Sequence, residues 1–253
     1  MEPILLREVK EDGIVILQIN RPAQMNAINF AMIEELQSAL DWAEQDETIK
    51  VLILRGAGDR AFCSGGDLGE FHTLTTKESA YKMLWSMGRL LLRIAEFPRP
   101  TIAYLNGAAV GGGCEIAAAC DFRLASEGAK VGFIQGNQAI TTGWGGASLL
   151  YEKLQPASAL EMLYSGKVYR ATEAIDMGFV QRQVAGIEEV LEFAAPIAAK
   201  QSAVLAAYKE ALVKKWAQSR LAERIEEEIR SCSFLWEGDD HLNAVRAFNS
   251  RSK

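Results

Sequence analysis

The chain has 253 residues, 49% of them apolar and 24% charged. That is enough for a sizeable core in one large domain, or in one domain with an appendage. A net charge of −6 argues against nucleic acid or an anionic membrane as the main partner. Residues 1–20 include Glu2, Arg7, Glu8, Lys10, Glu11 and Asp12, so no signal-peptide apolar segment is expected there.

Apolar runs predict strands at residues 4–9, 14–19 and 51–55, and again at 101–105, 122–125 and 131–134. Between them, Ile33, Leu36, Leu40 and Ala43 recur at helical spacing and predict an amphipathic helix over 31–45. A second helix is predicted over 78–95, ended by Phe-Pro-Arg-Pro at 97–100. The longest apolar stretch, 101–120, contains Asn106, Glu115 and several glycines, which excludes a membrane span. This alternation indicates an α/β protein with a covered sheet.

From about residue 187 the chain has few glycines and no strand signal, so 1–186 reads as an α/β core and 187–253 as a helical region. Two apolar stripes are expected there, Leu205–Tyr208–Leu212–Trp216 and Leu221–Ile225–Ile229–Cys232–Trp236. Helices this apolar pack on a core or on another subunit, and joining protomers is the expected role.

Cys63, Cys114, Cys120 and Cys232 lack CxxC spacing and fit reduced, buried packing in a cytoplasmic protein. The two histidines, His72 and His241, stand far apart in sequence with no neighbouring ligand cluster. Neither a metal site nor a serine triad is expected.

Two segments carry the chemistry: FCSGGDL at 62–68 and NGAAVGGGCEIAAACD at 106–121. Each reads as a short apolar strand turning through glycines into a helix. A helix start offers free backbone N–H groups and the positive end of the macrodipole. Two such starts facing each other would form a two-donor hole for an oxyanion, with Glu115 within one turn of it. Glu115 is flanked by Gly113, Cys114, Ile116 and alanines, and burial there would raise its pKa toward the range useful for acid–base work.

With NRPAQMNAIN (20–29), ACDFRLAS (119–126) and GWGGASLL (143–150) added in order, the chain resembles the crotonase superfamily of enoyl-CoA hydratases, isomerases and acyl-CoA decarboxylases over nearly its whole length. The resemblance implies a crotonase-like spiral of strand-strand-helix turns with a helical C-terminal trimerisation region, in a homotrimer or a hexamer built as a dimer of trimers. It implies an acyl-CoA substrate, with coenzyme A present only as part of the thioester and no permanently bound cofactor. It places the oxyanion-hole N–H groups on Gly66 and Gly112, and makes Glu115 one of two catalytic glutamates. Met25, Ser64, Gly66 and Leu68 would border the coenzyme, and Trp144 the acyl pocket. Ala23 stands where relatives often carry a basic residue, so Arg21 or Lys209 is expected to meet the coenzyme phosphates instead.

One position departs from the two-glutamate hydratases. Gln135, in VGFIQG, stands where they carry the second glutamate, and no Asp or Glu occurs between Glu127 and Glu152. Gln can hold a water but cannot take its proton. The run ACDFRLA…FIQ…WGGASLL is similar to the branch that decarboxylates ethylmalonyl- and methylmalonyl-CoA. Hydratase-like chemistry is the first expectation, decarboxylation or isomerisation the alternative, and a catalytically weak acyl-CoA-binding paralogue the third. Asp67 or Glu70 could replace the missing acid in space.

Overall fold

The computed structural model describes residues 2–251. The chain opens on β1 (Leu5–Val9) and β2 (Ile14–Ile19), paired antiparallel, followed by α1 (Phe30–Gln45). Three turns of one pattern come next. β3 (Val51–Gly56) and β4 (Ala61–Cys63) lead into α2 (Leu68–Phe71) and α3 (Lys77–Glu96). β5 (Thr101–Leu105) and β6 (Ala108–Val110) lead into α4 (Gly112–Ala119). β7 (Phe122–Ser126) and β8 (Lys130–Gly132) lead, through a 3-10 turn at Gln135–Gln138, into α5 (Gly146–Lys153) and α6 (Pro156–Ser165).

In each turn the first strand joins one sheet and the second strand joins the other. The larger sheet has the order β1-β2-β3-β5-β7-β10 and is parallel from β2 onward. The smaller has the order β4-β6-β8-β9. It takes in β9 (Tyr169–Arg170), which is followed by α7 (Ala171–Asp176) and by β10 (Arg182–Val184) of the larger sheet. This is the expected spiral.

The larger sheet is buried on both faces, which explains its continuous apolar runs. Val15, Leu17, Leu52 and Leu54 face the main core between the sheets and helices. Ile14, Ile16, Val51 and Ile53 face a second core, closed by Val190, Ala194 and Ala198 of α8 (Ile187–Ala198). The predicted strand 131–134 is cut back to end at Gly132, because Phe133 and Ile134 carry the chain into the 3-10 turn that holds Gln135.

The C-terminal region is helical through α8, α9 (Ser202–Gln218), α10 (Leu221–Trp236) and α11 (Asp239–Arg251). Its two stripes fare differently. Leu221, Ile225, Ile229, Cys232 and Trp236 are all buried and belong to this chain's own core, where α10 packs on α3 and α5. The stripe expected on α9 is not buried as a unit: Trp216 is covered, but Tyr208 is 75% exposed and Leu212 also reaches solvent. All four cysteines are buried and unpaired. No single helix among the described residues is long and apolar enough to cross a membrane.

Candidate active site

The glycine-rich turns meet as expected. Strands β4 and β6 are parallel neighbours, so the segments leaving their C-terminal ends emerge side by side. A Cβ built on Gly65 would lie 3.1 Å from the Gly112 nitrogen. The Gly65 carbonyl accepts from Ile28 N, and Asp67 N donates to the Ile28 carbonyl, both at 2.8 Å. That pairing fixes the first turn while leaving the Gly66 N–H outside it. Among the described residues, neither the Gly66 nor the Gly112 N–H donates a hydrogen bond.

Glycine is required at both positions by close approach. A Cβ on Gly112 would fall 2.1 Å from the Trp144 ring, and one on Gly66 2.5 Å from the Phe71 ring. The Trp144 indole also lies 3.6 Å from that Gly66 Cβ position, so one aromatic side chain covers both turns. Gly66, Gly112, Trp144, Glu115 and Gln135 line one cavity of about 610 Å³. Met25, Ser64 and Leu68 line it too, together with Ala23 and Gln24. The residues expected to form the oxyanion hole, the acid–base pair, the acyl pocket and the coenzyme border therefore reach the same space.

Glu115 is 2% exposed and is held at both oxygens. Oε1 accepts from Gln135 Nε2 at 2.8 Å and, more weakly, from Gly143 N at 3.4 Å. Oε2 accepts from Trp144 N and Gly146 N, each at 2.8 Å. Burial, reinforced by the Glu228 carboxylate, pushes its pKa up to about 8, against the opposing pull of the three backbone amides. At neutral pH this group is poised to hold or release a proton.

Gln135 is itself buried, and with Nε2 on Glu115 its Oε1 has no partner. An amide can reverse the two ends. It donates to Glu115 when that group is ionised and, turned over, accepts from it when it is protonated.

Sequence reasoning missed Glu228. Its Oε1 accepts from Thr142 Oγ1 and Ala147 N, and its Oε2 from Ser148 N and Oγ at 2.8 and 2.7 Å. Burial raises its pKa. It lies beneath α5 outside the cavity lining, so it does not stand in for the missing second acid. A signal existed: position 228 is three residues after Ile225 and four before Cys232, on the core-facing side of α10.

Asp67 and Glu70 do not replace that acid either. Asp67 pairs with Arg21 at 2.7 Å and caps α2 through Gly69 N. Glu70 accepts from Asn29 Nδ2 and Phe30 N at the start of α1. The two expected phosphate contacts are corrected as well. The Arg21 guanidinium is tied to Asp67 and to the Ala27 carbonyl. Lys209 is buried against Asp121 at 2.5 Å, beside a different cavity under α9.

Comparison with known proteins agrees with this architecture. The sequence model of the enoyl-CoA hydratase/isomerase family matches residues 9–253. A crotonyl-CoA hydratase from Syntrophomonas wolfei is 36% identical over 176 residues, 69% of this chain and 67% of that protein. An ethylmalonyl-CoA decarboxylase from Xenopus laevis is 30% identical over 240 residues, 93% of this chain and 80% of that protein. The crystal structure of an enoyl-CoA hydratase/isomerase from Xanthobacter autotrophicus Py2 superposes with a TM-score of 0.90 at 27% identity, covering 99% of this chain and 94% of that one. The fold and the paired glycine turns define a crotonase-superfamily protein. Within that class, the chain belongs to the enoyl-CoA hydratase/isomerase family.

Proposed function

We propose that this protein is an acyl-CoA-processing enzyme that stabilises a thioester enolate between the Gly66 and Gly112 N–H groups and moves protons with Glu115, in hydratase-like chemistry. The observation that carries this reading is the pair of uncommitted amides facing one cavity with a buried glutamate. Preorganised donors of this kind are typically worth roughly 3–4 kcal/mol each to a developing oxyanion.

In hydration, a water held between Glu115 and the free Oε1 of Gln135 adds its oxygen to C3 of the enoyl thioester. Glu115 takes the water's proton as negative charge moves to the thioester oxygen. The same carboxyl then delivers that proton to C2, and the enolate collapses to the 3-hydroxyacyl product. One glutamate thus serves as base and then as acid, while Gln135 holds the water.

A specific observation keeps decarboxylation as the second reading. With its pKa raised to about 8, Glu115 is largely neutral at pH 7 and does not repel a substrate carboxylate. The bond from Cα to the carboxylate would break, its electrons would pass to the thioester oxygen as CO2 leaves, and the Glu115 proton would go to Cα. Gln135 in place of a second anion suits that substrate.

Coenzyme A would run along Ala23–Met25, Ser64 and Leu68. The exposed Val204, Tyr208 and Leu212 of α9 support assembly into a homotrimer or a dimer of trimers, and a cytoplasmic location goes with the reduced cysteines. The purified protein is to be assayed side by side with crotonyl-CoA and with methylmalonyl- or ethylmalonyl-CoA. Loss of the enoyl absorbance with 3-hydroxyacyl-CoA formed supports hydration. CO2 release alone moves the protein to the decarboxylase reading, and silence on all of them leaves isomerisation or the binding paralogue.

A further inference from the structure

The two histidines of the chain, 169 positions apart in sequence, turn into the same cavity as Gly66, Gly112 and Glu115. His72 follows α2 and His241 lies in α11, with ring centroids 6.3 Å apart and planes at 83°. Trp236 of α10 packs against both, at 4.7 Å from His241 and 6.4 Å from His72. His241 is 2% exposed, and its Nδ1 donates to the Gln138 carbonyl at 2.7 Å, which leaves Nε2 as its free ring nitrogen. The Nδ1 of His72 is buried with no partner at all.

The surrounding wall is largely apolar, with Met83, Leu84, Cys232 and the Trp236 ring, whose N–H is already given to the Leu74 carbonyl at 2.7 Å; Gln138 and Thr141 are its polar members. Buried polar atoms without partners are rare, because each gives up its hydrogen bond to water with nothing in return. An alkyl chain filling this part of the cavity would seal His72 Nδ1 and His241 Nε2 away from water unpaired. The Gln138 and Leu74 carbonyls already accept from His241 and Trp236, and the two ring nitrogens are the basic groups left facing this part of the cavity. Among the described residues, no carboxylate pairs with either ring. Two proton-binding groups with no anion of their own complement an anion that arrives with the ligand.

We propose that His72 and His241 form a distal subsite that receives a carboxylate at the far end of the acyl chain, so that the preferred substrates are monothioesters of dicarboxylic acids. The inference rests on the acyl-CoA reading above: with the coenzyme along Ala23–Met25, the histidine pair is left for the acyl group. One ring holds a proton and the carboxylate bridges the two nitrogens, while the reacting carbons stay near Gly66, Gly112 and Glu115. No covalent step is involved.

The test is calorimetric binding of two unreactive thioesters, butyryl-CoA and glutaryl-CoA, to the full-length protein. Glutaryl-CoA is expected to bind at least tenfold more tightly. His72→Phe and His241→Phe, each checked for an unchanged melting curve, are expected to abolish that preference while leaving butyryl-CoA binding equal or tighter. Equal or weaker binding of glutaryl-CoA by the unmodified protein overturns the subsite whatever the variants do, and still leaves the acyl-CoA reading standing. A preference that survives in both variants also overturns it. Failure of both thioesters to bind overturns the acyl-CoA reading and the subsite with it.

Discussion

Two helix N-termini meet at this site, and the chain treats them in opposite ways. At α4 the leading amide, Gly112, is left without an acceptor and faces the cavity beside that of Gly66. At α5 and the turn before it, five amides are taken up inside the molecule. Gly143, Trp144 and Gly146 donate to Glu115, and Ala147 and Ser148 donate to Glu228. The same electrostatics of a helix start is left open at one end and closed at the other on two carboxylates, Glu115 buried and Glu228 half-buried. The closed terminus is what makes the open one useful: it anchors Glu115 and carries Trp144 across the glycines. A binding surface needs donors aimed at an anion, but a proton-moving group needs a rigid seat with its charge state in balance.

The largest effect is expected from Glu115→Gln, which keeps the shape of the closed terminus and removes its proton. Gln135 can turn over to meet the new amide, so the fold should survive. Turnover on whichever acyl-CoA the enzyme accepts should fall by about 10²–10⁴. Unchanged turnover in a steady-state assay would remove Glu115 from the mechanism. The open terminus is tested by Gly112→Ala. The added Cβ must displace the Trp144 ring, which it would approach to 2.1 Å, and the amide moves with it. A loss of roughly 10²–10³ in kcat is expected. Adding Trp144→Leu should recover part of it, so the two changes combine less than additively; strict additivity would mean the ring is not what crowds position 112.

Glu228→Gln sharpens the contrast from beneath α5. A neutral amide must present its NH2 to donors that now face a carboxylate, so a stability loss of about 1–3 kcal/mol is expected. Activity should fall less than tenfold, because Glu228 does not line the cavity. A melting curve with kcat/KM on the same preparation separates the two. A large activity loss at unchanged stability would give Glu228 a direct chemical role.

The open terminus was legible in the sequence because glycine clusters between an apolar strand and a helix have few other uses. Gln135 was legible as a departure because the resemblance sets VGFIQG against the segment that carries the second glutamate in two-glutamate hydratases. The closed terminus was not, since Glu228 is one of three consecutive glutamates on α10 and only its helical phase separates it from its solvated neighbours. The histidine pair was invisible because the packing of α11 on α10 and on the 3-10 turn at Gln135–Gln138, and not any spacing along the chain, brings the rings together. Arg21 and Lys209 misled because a cation's availability depends on its partners. Asp67 and Asp121 claim them in three dimensions, and the sequence places those acids 46 and 88 residues away. The second C-terminal stripe was read correctly as apolar but assigned to another subunit. Its partner, α3, lies more than a hundred residues earlier in the same chain.

The last expected effect is on stability alone, and it tests the charge balance at Glu115 directly. The folded protein holds that carboxyl at a pKa of about 8 against an ordinary value of 4.5. Between those values the folded state binds a proton that the unfolded chain has released, so stability is highest below about pH 4.5 and declines as pH rises toward 8. Glu115→Gln fixes the neutral form and removes this contribution. The difference in Tm between variant and unmodified protein should therefore move in the variant's favour from pH 5 to pH 8 and level off above. The full swing is on the order of a few kcal/mol, read at roughly 2–4 °C per kcal/mol for a chain of this size. A Tm difference independent of pH would mean that its three backbone amides and Gln135 already hold Glu115 ionised at neutrality. The single-glutamate hydration route would then stand without competition, because a charged Glu115 would repel the substrate carboxylate that decarboxylation requires.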